Sequence, residues 1–113
     1  MNEVLRSHKC LPCEGGVKPL SPKEIKGYLA SLSGRWRYVA KEKAIRADYK
    51  AGDFAAAVKM IQKIARVAER ENHHPDVHLT KYRYLSLALS THAIGGLSVN
   101  DFILASKINV VLR

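Results

Sequence analysis

A chain of 113 residues holds one hydrophobic core and leaves no room for a second. Hydrophobic residues at 47% and charged residues at 26% are ordinary for a globular domain, and no stretch nears the ~18 consecutive apolar residues of a membrane span. The formal charge of +9 invites a nucleic-acid reading. However, the lysines and arginines are scattered from Arg6 to Arg113 without a run of five. No RNA-binding aromatic motif or zinc finger accompanies them, so nucleic acid is not an expected partner.

Residues 1–20 carry turn formers and scattered charge without periodicity and read as a flexible leader, with a single domain expected over 21–113. The leader has no apolar stretch that would serve as a secretory signal, so a cytoplasmic location is expected. Cys10 and Cys13 form one Cys-x-x-Cys pair with no second pair to complete a structural zinc site. They read as two reduced thiols, with His8 near enough to join a weak adventitious metal site.

Ser21-Pro22-Lys23-Glu24 marks a helix start: serine caps, proline suits the first turn, and Glu24 closes a capping box. Ile25, Tyr28, Leu29 and Leu32 supply its apolar face, and Ser33-Gly34 ends it. Trp36 to Ala40 and Ala44 to Tyr49 read as strands around the charged triplet Lys41-Glu42-Lys43. In the second, Ile45, Ala47 and Tyr49 alternate with Arg46 and Asp48, which predicts one wet face. Gly52-Asp53 turns and caps a second helix, traced by Phe54, Ala57, Val58, Ile61, Ile64, Ala65 and Ala68 and ending before Pro75. Val77 to Thr80 and Tyr82 to Ser90 read as two more strands. After Gly95-Gly96, Ser98 caps a last helix from Val99 to about Leu112. The order α-β-β-α-β-β-α predicts an α+β fold, a four-stranded antiparallel sheet with helices packed on one face.

Four of the five histidines, His73, His74, His78 and His92, fall between residues 73 and 92. They sit at junctions between predicted elements, where reactive groups are exposed on a rigid scaffold. Imidazole exchanges protons near neutrality, and each positioned acid or base is worth ~10² to 10⁴-fold in rate. Glu69, four residues before His73, would share its helix face if the helix ran on. His78 reads as an exposed strand residue, Asp101 as the partner of Ser98 in a capping box, and Trp36 as either core or site. Glu69, His73 and His92 also offer zinc-type ligands, so a metal site is the rival reading, although no stringent ligand spacing supports it.

Glu69-x-x-x-His73-His74-Pro75, Tyr82, Thr91-His92, Gly96-Leu97-Ser98 and Asp101 together resemble the signature of the pterin-4a-carbinolamine dehydratases. Cys10 to Leu20, Trp36 and the stretch Asp101 to Ile108 extend the similarity over about residues 10–110. The resemblance implies a hydro-lyase that dehydrates 4a-hydroxytetrahydropterin to quinonoid dihydropterin, recycling the cofactor of aromatic amino acid hydroxylases. It implies no metal, no organic cofactor, and a homodimer or homotetramer; the lack of a long apolar stretch leaves no membrane partner expected. It places His73, His74 and His92 in catalysis, His74 and His92 as acid and base and His73 in orienting the pterin. Glu69 then supports the first histidine, and Asp101 orients a histidine or caps the last helix. Trp36 lines the pocket, and backbone around Asn72, Ser90 and Thr91 binds the pterin's amide edge. The alternative on the same fold is a non-catalytic protein-interaction module, since animal members also assist dimerisation of a homeodomain transcription factor.

Overall fold

The computed structural model describes residues 18–32 and 34–113. Cys10, Cys13, His8 and most of the expected leader lie outside the described residues. From Lys18 onward the chain is already docked: the Leu20 amide donates to the Leu97 carbonyl at 2.8 Å, and Leu20 packs against the core. Pro19 lies so close to Gly96 that a Cβ on that glycine would meet the proline at 2.8 Å.

The elements follow the predicted order. Helix α1 spans Pro22–Ser31, strands β1 and β2 span Arg37–Val39 and Ala44–Lys50, and helix α2 spans Phe54–Glu71. Strands β3 and β4 span Asp76–Thr80 and Tyr84–Leu89, and helix α3 spans Val99–Val111. The capping box of α1 forms, with the Ser21 amide donating to Glu24 Oε1 at 2.9 Å and the Glu24 amide to Ser21 Oγ at 3.2 Å. Hydrogen bonds from the Ser21 amide and side chain hold the Glu24 carboxyl below its ordinary pKa. Asp53 caps α2 by accepting from the Ala56 amide at 2.7 Å. Both caps stand where the serine and aspartate signals predicted them.

The sheet is antiparallel with strand order β1-β2-β4-β3. Ile45, Ala47, Leu85, Leu87 and Leu89 are buried toward the helices. Arg46 and Asp48 occupy the opposite face. Arg46 reaches Ser86 on β4 at 2.7 Å, and Arg37 on β1 pairs with Asp48 at 2.8 Å. The period of two therefore sorted the second strand correctly.

The strand ends differ from expectation at one turn. Tyr82 was expected to open a strand, but Lys81 and Tyr82 both hold positive φ, 47° and 58°, in a three-residue turn, Lys81 to Arg83, between the paired residues Thr80 and Tyr84. Positive φ normally calls for Gly or Asn, so Lys-Tyr gives no sequence signal for it. Arg83 secures the turn: its Nε and a terminal nitrogen donate to the carbonyls of Ala51 and Gly52 at 2.9 and 2.8 Å.

Helix α3 runs through the middle of the helical layer, and every residue from Asn100 to Ser106 is buried. Phe102 stacks on Tyr28 of α1 at 5.1 Å, and Lys107 bonds Glu71 of α2 at 2.9 Å. Its first turn, carrying Asp101, is thus held inside the protein rather than at the surface, which matters for the site. Among the described residues no helix is long and apolar enough to cross a membrane.

Candidate active site

The end of α2 decides where the adjacent histidines go. Helical hydrogen bonding stops at Glu71, and Asn72 takes the left-handed conformation, φ 53° and ψ 40°. The His73 amide then closes back on the Ala68 carbonyl at 3.2 Å, the longer bond of a Schellman ending. Asparagine is among the few non-glycine residues that accept this conformation readily. Because the helix has ended, His73 no longer follows the four-residue repeat from Glu69.

The expected Glu69–His73 pairing is therefore corrected. His73 turns inward, and its Nε2 meets Asp101 Oδ1 on α3 at 2.7 Å, with side-chain exposures of 13% and 0%. Glu69 instead bonds the following histidine, Oε2 to His74 Nε2 at 2.5 Å, on the outside of the molecule.

Asp101 is the centre of the buried part. Besides His73, its carboxylate accepts from Thr91 Oγ1 at 2.9 Å and from the Ser98 amide at 3.0 Å. A buried carboxylate requires such partners, and its place in the first turn of α3 adds the favourable end of the helix dipole. Against an ionised carboxylate, which only accepts, the His73 Nε2 is the donor of that bond. The Thr91 hydroxyl donates to Asp101 and hence accepts from Ser98 Oγ, 2.8 Å away. Capping α3 and fixing a histidine, the two roles considered for Asp101, are both present.

Thr91 is itself pinned by an isolated bridge to Gly96, the Thr91 amide donating to the Gly96 carbonyl at 2.8 Å. The amides of Asn72 and His73 are spent on closing α2, and that of Thr91 on Gly96. These three N–H donors are engaged within the protein, and the Thr91 side chain serves Asp101.

His92 lies one residue beyond Thr91, exposed, in a short 3₁₀ turn His92–Ile94. With Ser90, Glu42, Lys43, Gly95 and Gly96 it lines a polar depression of about 230 Å³. On the helix side, His74 and Glu69 border an apolar groove of about 210 Å³ between α2 and β3, formed with Ile61, Ile64, Ala68 and Val77. Extending the β3–β4 register, in which Asp76 faces Ala88, sets residue 74 beside 90 and 73 beside 91. The strand pairing thus draws the histidines, Ser90, Thr91 and Asp101 to one end of the sheet.

Trp36 does not join them. It is buried in the core at 8% exposure, and its indole N–H donates to Asn109 of α3 at 2.9 Å. It precedes β1, three strand spacings from β3, roughly 14 Å at ~4.8 Å per strand. His78 is exposed on β3, as expected. The metal set Glu69, His73 and His92 does not assemble, since Glu69 meets His74 and His73 meets Asp101. Among the described residues no three His, Cys, Asp or Glu side chains gather as ligands. Glu71 was missed at the sequence level: it is buried and bonded to Lys107, on the same helical repeat as the buried Ile64 and Val67.

An α+β sandwich of three helices on a four-stranded sheet, with carboxylate-held imidazoles at one end of that sheet, is the class of protein defined here. The chain belongs to the pterin-4a-carbinolamine dehydratase family, a family of hydro-lyases, and matches its sequence description, "Pterin 4 alpha carbinolamine dehydratase", over residues 18–111. A relative from Rickettsia canadensis is 44% identical over 93% of this chain and 94% of its own length, and one from Nitrosospira multiformis is 38% identical over 96% and 93%. Both are provisionally named pterin-4-alpha-carbinolamine dehydratase. The crystal structure titled transcriptional coactivator/pterin dehydratase from Brucella melitensis superposes with a TM-score of 0.77 at 29% identity, over 85% of this chain and all of that one. A pterin dehydratase-like protein described as a RuBisCO assembly factor shares the fold, with a TM-score of 0.57 at 16% identity over 69% of this chain and 89% of that one.

Proposed function

We propose that this protein dehydrates 4a-hydroxytetrahydropterin by histidine acid–base catalysis, within the recycling of a hydroxylase's pterin cofactor. The observation that carries the reading is the pair of adjacent histidines held by separate carboxylates, one buried and one open to solvent. In the reaction the C4a–O bond breaks, the hydroxyl leaves as water after receiving a proton, and N5 gives up its proton as its electrons form the C4a–N5 double bond. Hydroxide is a poor leaving group unless it is protonated as it departs, so an acid beside the hydroxyl and a base beside N5 are both required.

His74 and His92 are the exposed imidazoles at this end of the sheet and take these two roles. Glu69 orients His74 and stabilises its protonated form. His73 is locked by Asp101 and positions the pterin from below, so Asp101, Thr91 and Ser98 act through it. The polar depression at Ser90 and His92 and the apolar groove beside His74 offer the two kinds of surface that a flat, hydrogen-bonding heterocycle needs.

The test is the rate at which purified protein dehydrates freshly generated 4a-hydroxytetrahydropterin, followed by absorbance with chelator present. Fast, chelator-resistant turnover supports the reading, and no acceleration over the spontaneous reaction sinks it. The coactivator in the Brucella neighbour's title favours a protein-interaction role as the second reading. A partner complex that persists when His73, His74 and His92 are all replaced would support that role.

A further inference from the structure

The surplus of nineteen lysines and arginines over ten acids looks scattered along the chain, but α2 draws four of the cations into a line. Lys59, Lys63, Arg66 and Arg70 follow at intervals of four, three and four residues, and all four are exposed. At 3.6 residues per turn they fall within an arc of roughly 60°, and from first to last the helix rises about 16 Å. The buried residues Ala57, Ile64, Val67, Ala68 and Glu71 mark another side of the helix.

Nothing local neutralises this line. The two acids of α2 are engaged elsewhere, Glu69 with His74 and Glu71 with Lys107. Among the described residues no acid pairs with any of the four. Each neighbouring like-charged pair at three or four residues weakens an isolated helix, so the stripe is a local burden with no local compensation.

We propose that this stripe binds the sugar–phosphate backbone of a nucleic acid, without regard to base sequence. A nucleic-acid strand presents one phosphate per 3.4 Å of duplex axis, so a stripe of about 16 Å faces about five phosphates of one strand. Unpaired cations at regular spacing along a helix are the electrostatic footprint of such a surface. The four positions carry lysine and arginine alone, with no aromatic for stacking and no amide to read a base edge, hence contact with the backbone only. An anionic membrane fits less well, because the main apolar face of α2 is turned into the core and is not available as an anchor beside the stripe. The stripe is separate from the histidine cluster, and the proposal does not depend on the dehydratase reading.

The test titrates a fluorescein-labelled 20-base single strand and a 20-base-pair duplex with the full-length protein, reading anisotropy from 50 to 200 mM salt. With about four phosphates neutralised, duplex affinity falls roughly 10²-fold across that range, with a log–log slope near −3.6. Lys59→Glu, Lys63→Glu and Arg66→Glu combined weaken binding at least tenfold and flatten the slope by about three. Helical circular dichroism and the dehydration rate stay at the wild-type level. Equal binding by wild type and the triple variant would assign the effect to diffuse net charge and overturn the proposal. So would the absence of oligonucleotide binding at 50 mM salt, or binding confined to vesicles containing phosphatidylserine.

Discussion

Two histidines adjacent in sequence occupy opposite physical settings. His73 is 13% exposed and bonded to a carboxylate with no solvent access, whereas His74 is 54% exposed and bonded to one that is 76% exposed. Removing a buried carboxylate costs ~1 to 3 kcal/mol for each hydrogen-bond partner left unsatisfied. An exposed pair is worth ~0 to 1 kcal/mol, since water replaces the lost partner. The difference teaches that one imidazole is built into the framework while its neighbour is left free to meet a substrate.

The largest test of this contrast is Asp101→Ala. It strands His73, Thr91 and the Ser98 amide together, and the expected result is a loss of about 3 kcal/mol or more in urea unfolding with loss of turnover. A loss below ~1 kcal/mol would place Asp101 outside the framework. Next come His74→Ala and His92→Ala, each expected to lower turnover by at least ~10²-fold while unfolding free energy moves by less than ~1 kcal/mol. Near-wild-type rates in both would remove the acid–base assignment. Glu69→Gln keeps the shape of its side chain but not the charge, and a fall in kcat of roughly tenfold with little change in stability is expected. A stability loss as large as that of Asp101→Ala would erase the contrast between the two pairs.

The smallest expected effect provides a reference pair on the open face of the sheet. Burial pushes the Asp48 carboxyl up, but the Ser86 hydrogen bond and the Arg37 and Arg46 charges together carry it below its ordinary value of 3.8. A folded-state pKa below the unfolded one contributes stability above pH 3.8 that is lost as pH falls through the folded value. Asp48→Asn should therefore flatten the start of acid unfolding slightly and leave stability at neutral pH nearly unchanged. If it lowered stability at neutral pH as far as Asp101→Ala, exposure would be the wrong guide to these pairs.

How far the site was legible varied with the range of the signal. The Ser21 and Asp53 caps, the second strand's alternation and the long helix from Phe54 are local, and each formed where its residues predicted. The hairpin at Lys81-Tyr82 was hidden because neither residue is a customary turn former. The Glu69–His73 spacing misled because the four-residue rule holds only while the helix continues, and Asn72 had already ended it. The basic stripe on α2 was present as a spacing of 4, 3 and 4 residues but passes unnoticed when the search is for consecutive runs of charge.

The amino-acid order by itself determined the elements, their sequence and the family, because caps, periodicity and the His-His-Pro and Thr-His motifs act over a few residues. Which carboxylate holds which histidine, that Trp36 belongs to the core, and that Glu71 is buried on Lys107 were decided only when α3 was laid across α2 and the sheet. Pairings between residues up to 73 apart depend on packing that no local spacing encodes.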